Sequence, residues 1–113
     1  MSLAEKIRES RKVTIKIGKI AFYFTRPTEE QLRKMIFSQA SDPELLRQTI
    51  IGMEGARESD LFRGGSNDPI AFDKDDFDEA IGDLPELFEP LAKELVEKTK
   101  EYREKGKDSE KNS

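Results

Sequence analysis

The sequence predicts a single α+β domain, mainly α, in which an N-terminal β-hairpin is followed by a bundle of four to five short helices. Three observations predict it. Apolar and polar residues alternate on both sides of Gly18-Lys19. Beyond Pro27 the apolar residues recur every three or four positions, the helical period. A chain of 113 residues, 35% of them hydrophobic, is enough for one core and too short for two. The domain covers residues 1–106, and a disordered polar tail, 107–113, follows it.

The hairpin occupies residues 12–25. Glycine at the first central position suits a two-residue type II′ turn, which sets Ile17 opposite Ile20, Ile15 opposite Phe22 and Val13 opposite Phe24. All six large apolar side chains then fall on one side of the ribbon, and Lys16, Thr14, Ala21 and Tyr23 on the other. A lone two-stranded ribbon is barely stable, so its apolar side must rest on helices or on a partner.

Pro27-Thr28-Glu29-Glu30-Gln31 ends the second strand and starts a helix over 28–40. Thr28 can cap the Gln31 amide while the Gln31 side chain reaches back. Leu32, Met35, Ile36 and Gln39 or Ala40 then follow helical spacing. A second helix over 42–53 starts with Asp42 as cap, Pro43 at the first helical position and Glu44 at the positive end of the dipole. Its inward residues are Leu45, Leu46, Thr49, Ile50 and Met53.

Periodicity fades over 54–72, where Arg63-Gly64-Gly65-Ser66-Asn67-Asp68-Pro69 is a run of breakers. Loops of this length are functional or disordered, and Leu61, Phe62, Ile70 and Phe72 supply this one with apolar anchors. Asp73 caps a short acidic helix over 73–82 whose stripe is Phe77, Ala80, Ile81 and Leu84. The longest helix, 84–105, carries Leu84, Leu87, Phe88, Leu91, Leu95, Val96 and Tyr102. Pro90 either kinks it or separates an opening turn from it. From Gly106 no apolar residue remains, and the tail is expected to fray.

Composition narrows the function. With neither cysteine nor histidine, the chain lacks disulfides, thiolate metal sites, cysteine nucleophiles and the commonest general base and transition-metal ligand. No enzyme activity, cofactor or metal is expected. No apolar run approaches the ~20 residues of a membrane-spanning helix, and Met1-Ser2-Leu3-Ala4-Glu5-Lys6 lacks a signal-peptide core, so the expected location is the cytoplasm. Charge is segregated: residues 1–26 carry +5, residues 54–90 carry −9, and the whole chain −4. Such ends can attract each other in the fold or steer different partners.

Three other chemistries lack their residues. Counted from Asp73 as the first position of a calcium loop, the sixth position is Asp78 where glycine is needed and the twelfth is Leu84 where glutamate is needed. Gly64-Gly65 is followed by no Gly-Lys-Ser/Thr, so no phosphate loop begins there. Carboxylate pairs such as Asp60 with Asp68 or Glu86 with Glu89 are what an acidic chain produces by chance.

The order of elements resembles a family. A basic N-terminus, a hairpin ending in Phe24-Thr25-Arg26-Pro27-Thr28-Glu29-Glu30, two short helices, then Asp68-Pro69-Ile70-Ala71-Phe72-Asp73 and Ile81-Gly82-Asp83-Leu84-Pro85-Glu86-Leu87 resemble the tail assembly chaperones of long-tailed bacteriophages and prophages, over roughly residues 13–100. The resemblance implies a protein of the bacterial host cytoplasm that coats the long, aggregation-prone tape measure protein and helps bring tail tube subunits to it, with no catalysis or cofactor. It further implies that a longer form can arise by ribosomal frameshift, departing in the polar tail after Gly106. The expected partner contacts are Leu61 and Phe62 in the loop, the hairpin edge near Tyr23, and the stripe around Phe88, Leu91 and Leu95; self-association is compatible with the charge pattern. Two other readings share the small size and acidity: a bacterial adaptor or secretion-type chaperone, and a nucleic-acid-binding regulator using Lys6, Arg8, Arg11, Lys12, Lys16, Lys19 and Arg26.

Overall fold

The computed structural model describes residues 1–111. In chain order the elements are α1 (Leu3–Ser10), β1 (Lys12–Ile17), β2 (Ile20–Thr25), α2 (Glu29–Ser38), α3 (Asp42–Thr49), β3 (Ile50–Glu54), α4 (Glu58–Leu61), α5 (Lys74–Ile81) and α6 (Pro85–Lys111). The class is α+β and mainly helical, with strands and helices packed around a shared core.

The hairpin forms in the expected register, with Ile17 opposite Ile20, Ile15 opposite Phe22 and Val13 opposite Phe24. Gly18 takes φ 60°, as the first central residue of a type II′ turn requires. Ile15, Ile20, Phe22 and Phe24 are buried, while Val13 and Ile17 pack at the margin of the core.

A third strand completes the sheet. β3 pairs antiparallel with the free edge of β2, giving the order β1-β2-β3. This corrects the helix expected through Met53. The helix ends at Thr49, where Thr49-Ile50-Ile51-Gly52 sets three β-branched residues and a glycine in succession, poor helix formers beside an open strand edge. Tyr23 pairs with Gly52 and Phe24 with Ile50, so Ile51 is an extra residue, a β-bulge. The bulge lets Ile50 and Met53, three apart, both reach the core.

Helices after the hairpin cover one face of the sheet. α2 starts with the expected capping box: the Gln31 N–H donates to Thr28 Oγ1 (3.1 Å) and the Thr28 N–H to Gln31 Oε1 (2.9 Å). It ends at Gln39, in the left-handed region at φ 56°. α3 is capped by Ser41, one residue before the expected Asp42, with the Glu44 N–H donating to Ser41 Oγ at 3.4 Å. Asp73 caps α5 as expected, accepting from the Asp76 N–H at 2.9 Å. Phe22, Phe24, Leu46, Phe77, Ile81, Leu91 and Leu95 are fully buried, drawing the core from β2, α3, α5 and α6.

Three segments differ from expectation. Residues 3–10, within the basic N-terminus and without a predicted element, form α1, whose cap is Ser2 accepting from the Glu5 N–H at 3.2 Å. The loop 54–72 is closed on itself: the Ile70 N–H donates to the Ala56 carbonyl and the Glu58 N–H to the Asp68 carbonyl, both at 3.0 Å, around the single turn of α4. α6 is continuous through Pro90 and continues past Gly106 to Lys111; once nucleated, a Lys- and Glu-rich helix tolerates one glycine at a cost of about 1 kcal/mol. Residues 112–113 of the expected tail lie outside the described residues.

Candidate functional site

Two apolar grooves open on the surface. The first lies between α2 and α6 and holds about 350 Å³, lined by Leu32, Met35, Ile36, Leu45, Val96 and Thr99, with Lys100 and Arg103 among its polar residues. Its exposed flank follows from helix geometry. Met35, Ile36 and Phe37 are consecutive, and at about 100° per residue three successive side chains cannot share one face. Met35 turns into the core, leaving Ile36 76% and Phe37 93% exposed. Ile36, at helical spacing from Leu32, thus lines the groove and not the core. Phe37 was not singled out from the sequence, although the apolar triplet inside a helix was its signal.

The first turn of α2 is held to α6 by charge. Arg103 donates to both Glu29 carboxylate oxygens, and the Arg26 guanidinium sits 3.5 Å from the centre of the Tyr102 ring. The hydrogen bonds from Arg103 hold the Glu29 carboxyl below the usual carboxylate range, helped by the charges of Arg103, Arg33 and Arg26.

The second groove, about 720 Å³, lies between the closed loop and α5. Leu61, Phe62, Ile70, Ala80 and Leu84 supply its apolar surface, and Glu58, Asp76, Glu79 and Asp83 its acidic rim. Asp76, Glu79, Ala80 and Asp83 follow one face of α5 and the turn after it. The one basic residue of that lining, Arg63, is engaged with Glu86, its Nη2 lying 3.1 and 3.0 Å from the two carboxylate oxygens.

The six expected contact residues divide by burial. Leu91 and Leu95 are fully buried and Leu61 is 8% exposed, so these three are core positions rather than surface. Phe88 is half-buried against the core. Phe62, 64% exposed, stands in the acidic groove. Tyr23 lies on the central strand because β3 covers the edge it was assigned to. Its ring covers Gly52, and a hydrogen bond with Glu54, assisted by desolvation and by the Glu54 charge, raises the phenol pKa.

Of the carboxylates weighed for acid–base work, Asp60 accepts from the Arg57 N–H at 2.8 Å and Glu86 holds Arg63. Among the described residues no cluster of acidic side chains is arranged to hold a metal ion, and no helix is long and apolar enough to cross a membrane. No protein-family model, curated protein or solved structure matches the chain significantly.

Proposed function

We propose that this protein is a tail assembly chaperone of the long-tailed phage type, working by binding rather than turnover: it holds the tape measure protein and helps bring tail tube subunits to it. The observation that carries this reading is the exposed pair Ile36 and Phe37 beside the apolar α2–α6 groove. A tape measure protein presents long helices with apolar stripes. Such a stripe laid in the groove would cover Ile36 and Val96, the helix-in-groove mode of recognition, with Phe37 exposed on the adjoining flank of α2. An apolar groove with exposed Ile36 and Val96 in its lining, on a chain with 39% charged residues, suits a partner surface. The Pro-Thr-Glu-Glu start of α2 and the Asp-Leu-Pro-Glu start of α6, which carry the family resemblance, support the same reading.

The test is co-expression with the very long reading frame expected beside this gene. The tape measure protein should become soluble and co-purify with the wild type. The double variant Ile36→Ser/Phe37→Ser should lose at least tenfold of that capture while its thermal midpoint stays within a few degrees. A tape measure protein that ignores the wild-type chain overturns the reading, and pairing with one secreted effector instead would favour a secretion-type chaperone.

A further inference from the structure

We infer that α1 of one copy docks into the acid-rimmed groove of a second copy, joining molecules head to tail. α1 is an amphipathic helix with nothing beneath it: none of its residues is buried, and Leu3 is 73% and Ile7 41% exposed. At about 100° per residue, Leu3 and Ile7 form one stripe, Lys6 and Arg11 flank it on either side, and Glu5 and Glu9 fall on the opposite face. An apolar stripe with a positive charge on either side is the counterpart of the groove, whose apolar floor of Phe62, Ile70 and Leu84 runs beside Asp76, Glu79 and Asp83.

The helix cannot fill the groove of its own chain. Ser10 lies beside Glu101 and Tyr102 of α6, whereas the groove lies at the other end of that helix, beside Leu84. Seventeen residues of helix separate Leu84 from Glu101, about 25 Å at 1.5 Å per residue. The donor and the acceptor of one chain therefore sit too far apart to meet each other. A contact between unlike surfaces that cannot meet within one chain leaves one of each free after every addition, so it propagates unless it closes into a ring. Two turns of helix bury little area, which makes the contact weak, concentration-dependent and sensitive to salt.

The experiment is sedimentation of the purified chain from micromolar to millimolar concentration, at low and at high salt. The mass should rise past that of a dimer at low salt and fall back toward 13.0 kDa at high salt. A donor-deficient variant, Ile7→Asp, and an acceptor-deficient variant, Glu79→Lys/Phe62→Ser, should each remain monomeric. Mixed together, they should form a 1:1 dimer that grows no further, which also shows that both are folded. A wild type that stays monomeric throughout, or a variant mixture that does not pair, overturns the inference. A wild type that stops at a dimer overturns the end-to-end arrangement. No client protein enters this measurement, so its outcome is independent of the chaperone reading.

Discussion

At the scale of single residues, two positions show how little freedom the backbone leaves. Gly55 has φ 82°, and a Cβ built there would lie 2.6 Å from the Lys19 carbonyl oxygen, where the end of β3 meets the hairpin turn. Gly55→Ala meets both a left-handed backbone, about 1–2 kcal/mol for an L-residue, and a backbone clash. We expect a loss of at least about 2 kcal/mol in urea denaturation; a variant as stable as the wild type would mean that the turn and β3 are not in contact. Glu29 is tied to Arg103 across the α2–α6 junction. Because its folded pKa is depressed, the pairing contributes stability above the unfolded carboxylate value and loses it as pH falls through the folded one. In Arg103→Leu the Glu29 carboxyl should titrate closer to the ordinary range, read by NMR, and the junction should lose its dependence on acid. Both groups are solvent-facing, so the change in stability near neutrality is small.

At the scale of elements, legibility followed local chemistry. The hairpin and the caps at Thr28 and Asp73 are written in adjacent residues, so they could be read directly. β3 could not, because its inward residues Ile50 and Met53 are spaced three apart, the spacing of a helix; only the bulge at Ile51 makes that spacing compatible with a strand. The same limit applied to the surface. Periodicity says which residues can share a face, but Leu91 and Leu95 are claimed by the core while Ile36 is not, a choice made by packing between distant segments. α1 had a local signal, Ser2 three residues before Glu5, but the positive charge read over residues 1–26 carries no information on helix formation. The bulge yields a prediction that separates strand from helix. Deleting Ile51 leaves Ile50 opposite Phe24, Gly52 opposite Tyr23 and Met53 opposite Phe22, an unbroken ladder. The deletion should therefore cost less than about 2 kcal/mol in thermal or urea unfolding, within the range of ordinary substitutions. Loss of the folded state would mean that Ile51 is needed for more than its place in the strand.

At the scale of the whole molecule, the cohesion of the domain rests on α6. Leu91 and Leu95 are fully buried in the same core as Phe22 and Phe24 of β2, Leu46 of α3 and Phe77 of α5. A hairpin by itself is marginal in water, and α6, which lies along β1 from Pro90 to Lys98, offers the ribbon an apolar surface. Hairpin and helices should thus unfold together. Leu91→Ala should cost about 2–5 kcal/mol, a large part of the 5–15 kcal/mol typical of a domain. If the cohesion is shared, hydrogen exchange of the β1–β2 ladder amides should speed up as much as that of α5, by about 30-fold or more, since each 1.4 kcal/mol is tenfold. The α1 amides, belonging to a helix that buries nothing in its own chain, should exchange at the same rate in both proteins when dilute. Ladder amides that kept their protection while those of α5 lost theirs would show that the ribbon is a separate folding unit, and the groove between α2 and α6 would then have to be understood without it.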